Sequence, residues 1–334
     1  MRGSIITNTH LCQHFLLFFT LIAVLPATPA FALDCKVAAT KSEKAICADP
    51  AALAADASLG KVYETLRAAV SPEQRTELGK SQSRWIVARD FHCADKTGHG
   101  LSTCLADESK TRADFLKGNG KLVPFFQIEK GSTERTDIEV QVFKFPNPTT
   151  DAEKTFNAEV EKQISDIAQP DKGDTTSEYT FSALMSINSV SPRLISAQTV
   201  TSTFLGGAHP NTQSANINID AATGKITSFT DMLDTKSAQG IFKSCAKQVL
   251  RQKKENQGKD ADVSAAAIKT LDETVASVST DLALWSFFED KAVITYDSDV
   301  LGAHVEGVFD CTIPYAQLRP IVKTGFPLPQ LAVK

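Results

Sequence analysis

Two hydrophobic periods divide the chain. Between Cys35 and Lys117 apolar positions recur at helical spacing, with Leu53, Ala57 and Leu59 continuing into Val62, Tyr63 and Leu66. Thr40-Lys41-Ser42-Glu43 has the capping-box pattern and predicts a helix from Thr40 to about Cys47. Asp49-Pro50 opens a second helix. Ser71-Pro72-Glu73-Gln74 opens a third, which carries Trp85 and Ile86 on its apolar side and ends in RDFHC. The stretch ADKTGHGLST reads as a loop joining Cys93 to Cys104, and a last helix runs to about Lys117.

From Lys121 the period becomes that of strands. LVPFFQIEK and DIEVQVFKF have β-branched and aromatic content, with GSTERT as the hairpin connection. DAEKTFNAEVEKQISDIA is amphipathic, with Phe156, Val160, Ile164 and Ile167 on one side. YTFSALMSINSV and LISAQTVTSTFL alternate around Ser191-Pro192 as a long hairpin, and ANINID is a strand ended by the turn AATGK. Helices follow around Ala238–Glu255 and Ala261–Val278. The chain closes with LWSFFEDKAVITY, VEGVFDCTIP and the short helix YAQLRPIV. This order predicts an α+β protein: an all-helical N-terminal domain, then an antiparallel sheet with helices packed on one side.

The first 32 residues fall outside that fold. Arg2 precedes the apolar run FLLFFTLIAVL, which is shorter than the about 20 residues a membrane span needs. The run is followed by Leu25-Pro26 and the small-x-small pattern Ala30-Phe31-Ala32, the order of parts in a secretory signal peptide with cleavage after Ala32. Expected units are therefore 1–32 as signal peptide, 33–118 as the helical domain, 119–178 as a strand-strand-helix lead-in, and 179–334 as the α+β domain. The mature chain is expected to be periplasmic or secreted and to have no membrane span.

Export changes the reading of the cysteines. Cys12 leaves with the signal peptide, and six remain, an even number in an oxidising compartment. The preferred pairs are Cys35–Cys47, Cys93–Cys104 and Cys245–Cys311, although the first four cysteines allow three pairings. A zinc site from His92, Cys93, His99 and Cys104 is the rival, and the absence of a tight C-x-x-C pair disfavours it. The 35 basic and 39 acidic residues are unevenly spread. Residues 33–118 hold 13 basic and 12 acidic groups, a net of +1, and the remainder of the mature chain 21 and 27, a net of −6. An acidic second unit excludes a nucleic-acid surface and suits a cationic partner.

Candidate chemistry is sparse. The mature chain has four histidines, at 92, 99, 209 and 304, and no G-x-S-x-G, H-E-x-x-H or P-loop motif, so no enzyme activity, catalytic residue or cofactor is expected. Gly206-Gly207-Ala208-His209-Pro210-Asn211 reads as a tight connection between strands: glycine admits positive φ, and proline stops the ladder. His304, with Asp297, Asp299 and Glu306, lies in a second loop. A metal site would need the two loops to converge, and the simpler expectation is two unrelated loop histidines.

Two resemblances supply a functional expectation. The series Asp34, Cys35, Glu43, Ile46, Cys47, Leu53, Asp56, Leu59, Tyr63, Trp85, Arg89, Asp90, Cys93 and Cys104 resembles the LprI-type lysozyme-inhibitor domain. Glu43, Arg89 and Asp90 are expected to serve as internal ion pairs or caps rather than partner contacts. Gly206, Gly207, Ala208, His209, Asp220, Thr223, Gly224, Gly307, Ile313, Pro314, Tyr315 and Leu318 resemble the C-terminal domain of RsiV, a lysozyme-sensing anti-sigma factor. Related domains accompany peptidoglycan deacetylases. No sigma-binding segment precedes this one. The resemblances imply an exported lysozyme-binding inhibitor, with Gly206, Gly207, Ala208, His209, Asn211, Asp297, Asp299, His304 and Glu306 as candidate partner contacts. The second reading is a non-catalytic module that binds peptidoglycan.

Overall fold

A computed structural model describes residues 33–130, 136–165, 179–258 and 261–329. The predicted signal peptide and most of the GSTERT connection lie outside these residues. The helical part contains α1 (Lys41–Ala48), α2 (Pro50–Ala69), α3 (Pro72–His92) and α4 (Gly98–Lys117). Local chemistry sets their starts. Thr40 and Glu43 form the reciprocal capping box, the Asp49 side chain accepts the N–H groups of Ala51 and Ala52, and Ser71 caps α3. Helix α4 departs from expectation, because it begins at Gly98, inside the stretch read as a loop. Thr97 before it makes no side-chain cap, so the sequence carries no start signal there. Bonds Cys35–Cys47 and Cys93–Cys104 staple the ends, as preferred.

The rest holds two sheets. Strands β1 (Val123–Lys130), β2 (Thr136–Lys144), β3 (Tyr179–Val190), β4 (Leu194–Phe204) and β5 (Asn211–Asp220) form the first in sequence order. Pairing is antiparallel except between β2 and β3, which helix α5 (Asp151–Ser165) joins as a crossover. The apolar side of α5, with Phe156, Val160 and Ile164, packs against Ile138, Val140, Ala197 and Ile217 of this sheet. Gly224 closes the turn after β5 at φ +71, where a Cβ would strike the backbone of Asp151 at the start of α5.

The short α6 (Phe229–Met232) leads to α7 (Thr235–Gln257) and α8 (Ala265–Val278), the latter starting four residues later than expected because Ser264 caps it. Strands β6 (Trp285–Phe287), β7 (Lys291–Tyr296) and β8 (Phe309–Pro314) make an antiparallel three-stranded sheet, followed by α9 (Tyr315–Leu318). Its core combines Phe242, Cys245 and Val249 of α7 with Trp285, Ile294 and Phe309, and Cys245–Cys311 ties α7 to β8. The two sheets meet through a polar seam. Ser196 Oγ accepts from the Phe287 N–H at 3.1 Å, and Asn218 Nδ2 donates to the Leu282 and Trp285 carbonyls at 3.0 and 2.8 Å. The architecture is the expected α+β arrangement, with an antiparallel-dominated sheet.

The helical part and the first sheet share a core. Phe126 of β1 is buried among Leu59, Leu66, Leu78 and Leu116. Helix α3 also lies along the open edge of β1. Gln74 accepts the Phe126 N–H and donates to its carbonyl, Glu77 accepts the Ile128 N–H, and Lys80 donates to the Ile128 carbonyl. A strand edge that would otherwise be exposed is thereby satisfied.

Candidate functional site

Two regions of the molecule have the makings of a contact site. The first is a groove of about 370 Å³ between α1, α2 and α3, lined by Leu33, Glu43, Asp56, Tyr63, Trp85 and Arg89 among others. Three helices and the segment before α1 bring these separated residues to one place. Arg89 is buried and donates through Nε and Nη2 to Asp90 Oδ1 at 2.9 and 2.8 Å. Its Nη1 lies 3.8 Å from Asp56 Oδ1, and its guanidinium stands 5.1 Å from the Trp85 ring centre. Glu43 accepts the N–H groups of Ala39 and Thr40 at 2.7 and 2.8 Å, and those donors hold its carboxyl below the ordinary range. Glu43, Arg89 and Asp90 thus make the internal contacts expected of them, and Glu43 and Arg89 also wall the groove. Beside it, Val87 and Phe91 of α3 stand 70% and 83% exposed, an apolar pair one turn apart that nothing among the described residues covers.

The second region is where the two histidine loops meet. The rings of His209 and His304 stack with centroids 3.8 Å apart and planes 16° from parallel, which overturns the expectation of two unrelated histidines. Sheet packing is the cause. Asp297, just after β7, accepts the Ser214 N–H of β5 at 2.8 Å and also bonds its hydroxyl, pinning the β7–β8 loop beside the β4–β5 loop. Gly206 has φ +78, so the turn chemistry read from the glycine pair is what the chain uses.

The candidate residues divide in three. His209, His304 and Asp299 come together, with His304 Nδ1 2.9 Å from Asp299 Oδ2 and Asp299 held at φ +70. Gly206, Gly207, Ala208 and Asn211 are exposed along the loop. Glu306 turns away to α7, where it accepts from Lys253 at 2.6 Å and from the Ala303 N–H at 2.9 Å. Gly302 packs so closely on this pair that a Cβ there would lie 2.4 Å from Glu306 Oε1. Stacked rings direct their nitrogens side by side rather than toward one point. Among the described residues no group of three or more His, Cys, Asp or Glu is gathered as a metal cage.

Sequence reasoning missed Lys253 and the cleft of about 550 Å³ that it helps line with Leu250, Leu271, Thr274 and Leu301. It also missed Arg112, fully enclosed between α3, α4 and β2. Lys253 looks like any helix-surface lysine, and Arg112 like any arginine among polar neighbours; only the fold buries them.

Comparison with known proteins bears on the helical part. A family model described as lysozyme inhibitor LprI matches residues 35–116. No curated protein matches the chain. Among solved structures, a member of the DUF3298 family from Bacteroides fragilis is 11% identical and has a TM-score of 0.44, covering 62% of this chain and 95% of its own. A DUF3298 family protein from Pseudomonas aeruginosa is 16% identical at a TM-score of 0.39, covering 64% and 99%. No helix among the described residues is long and apolar enough to cross a membrane.

Proposed function

We propose that the chain is an exported, non-catalytic protein that binds lysozyme and blocks its substrate cleft. One observation carries the reading: the match of residues 35–116 to a lysozyme-inhibitor family; half of the positions that carry the resemblance, among them Glu43, Asp56, Tyr63, Trp85 and Arg89, line the α1–α3 groove. The signal-peptide pattern ending at Ala32 and the three disulfides agree with a protein that works outside the cytoplasm. The resemblance of the second unit to a lysozyme-sensing domain points to the same partner, with the His209–His304 end as a second contact. The net −6 charge beyond residue 118 would steer a basic enzyme.

The test is to titrate the chain from Leu33 to Lys334 into hen lysozyme while following binding and cell-wall lysis. Binding with loss of lysis supports the proposal; intact lysis at saturating concentration removes inhibition, and no binding removes the partner. Apparent affinity is expected to fall as salt rises past the about 0.1 M at which exposed charges are screened beyond 10 Å. An affinity unchanged by salt would argue against steering.

A further inference from the structure

The start of the described chain is tied into the helical groove rather than left loose. The Leu33 N–H donates to Asp56 Oδ2 at 3.1 Å, and the Leu33 side chain packs against the cluster of Ile46, Ala52, Leu105 and their neighbours. Two residues on, Cys35–Cys47 clamps the same segment to α1. Chain starts are ordered only when something holds them, and here three contacts do.

The charges around Leu33 are unbalanced while its nitrogen is an amide. Among the described residues lining the groove, Arg89 of α3 is the one cation, set against Asp56 of α2 and Asp90 of α3. Glu43 of α1 also faces the groove, its carboxylate kept ionised by the N–H groups at Thr40 and Ala39. A positive charge at the Leu33 nitrogen would set a second cation against these three carboxylates, at an atom already in hydrogen-bond reach of one. The bond to Asp56 is already charge-assisted through its acceptor, and an ammonium donor would add a direct attraction between opposite charges.

We propose that hydrolysis of the Ala32–Leu33 bond creates a terminal ammonium that Asp56 captures, so that the processed chain alone places a second cation in the groove. The reaction consumes one water under an export-linked endopeptidase. Hydroxyl goes to the Ala32 carbonyl carbon, giving a carboxylate, and the Leu33 nitrogen gains the protons that make it an ammonium. The inference rests on the export reading, and goes beyond it by giving the new terminus a structural role.

The experiment compares thermal unfolding of the Leu33–Lys334 chain with the same chain extended by one N-terminal glycine. The extension keeps an N–H at Leu33 and moves the charge away by about 3.8 Å. Both are also made with Asp56→Asn. The expected result is a midpoint lowered by a few degrees on extension when Asp56 is present, and unchanged by extension when it is replaced. Equal shifts in both backgrounds, or none in either, overturn the capture. Should Asp56→Asn not fold, the comparison is repeated near pH 6 and near pH 10, on either side of the about 8 at which a terminal amine ordinarily titrates. A difference present at the lower pH and absent at the higher supports capture; none at either pH overturns it. The intact mass of the exported protein separates the two failures, since a start other than Leu33 overturns the processing step, whatever lysozyme does.

Discussion

Arg112 shows what a single side chain can hold together. It is buried, yet among the described residues no carboxylate forms an ion pair with it. Its three nitrogens donate to Gln82 Oε1, Gln141 Oε1 and Ser81 Oγ at 3.1, 2.6 and 2.8 Å, joining α3 and α4 to β2. Burial pulls the guanidinium down to about 10, with the Glu139 charge opposing the shift. The ammonium of a lysine is a point and cannot span three acceptors in a fork. Arg112→Lys is therefore expected to cost about 2–3 kcal/mol in denaturant unfolding; a loss under about 0.5 kcal/mol would mean the fork is not what joins these elements. Glu153 gives the acid-side counterpart. The Lys121 ammonium, then the N–H groups of Thr149 and Thr150, hold its carboxyl down to about 2. A carboxylate depressed in the folded state stabilises above its unfolded value and loses that contribution as pH falls through the folded one. Stability from Glu153 is thus expected to be full above about pH 4.5 and to fade toward about pH 2. Glu153→Gln should flatten the acid limb of the stability curve, and an unchanged limb would refute the assignment.

Among the elements, the recurring device is a side-chain amide that imitates a neighbouring strand. Gln248 and Gln252, one turn apart on α7, each pair with the backbone N–H and carbonyl of one β8 residue, Thr312 and Asp310 respectively. Gln74 does the same for Phe126 of β1, and Asn157 for Phe145. Open strand edges are liabilities, and these amides close them without a further strand. Gln248→Leu with Gln252→Leu keeps the helix and removes the four hydrogen bonds to the β8 backbone, so a loss of about 2–4 kcal/mol is expected, together with concentration-dependent aggregation in light scattering. A monodisperse and equally stable variant would show that the edge needs no cover. None of this was legible in the sequence, because a glutamine on a helix gives no sign of which strand lies opposite. What was legible is what neighbours in sequence decide. Thr40-Glu43, Asp49-Pro50 and Ser71-Pro72 announced three helix starts, and cysteine spacing favoured the three disulfides. The early start of α4 and the parallel β2–β3 pairing escaped, the one for want of a capping side chain, the other because strand direction depends on a crossover. The meeting of His209 with His304 escaped for the same kind of reason: it follows from how two sheets pack, 95 positions apart in the chain.

At the scale of the whole molecule, the helical part and the first sheet share one buried cluster besides their own, and this bears on how they can be dissected. The ring of Phe126 is buried among leucines of α2, α3 and α4, while Phe115 of α4 reaches into the sheet and lies 4.9 Å from Phe143. Arg84 adds ion pairs to Asp137 and Glu139 of β2. Cutting after Gly118, where composition changes, would strip Phe126 from the helices and uncover Leu59, Leu78 and Leu116. Burying a large apolar side chain is worth about 1.5–3 kcal/mol, and a small disulfide-stapled helical unit has little to spare. A fragment of residues 33–118 is therefore expected to unfold well below the midpoint of the whole chain. The complementary fragment from residue 119 loses the cover over β1 and should self-associate in sedimentation. Two fragments that fold at the midpoint of the parent, both monomeric, would contradict the shared core. If the fragments behave as expected, lysozyme-binding assays on isolated halves need care in one direction only: a half that binds locates the contact, whereas one that fails has first to be shown folded by its near-ultraviolet circular dichroism.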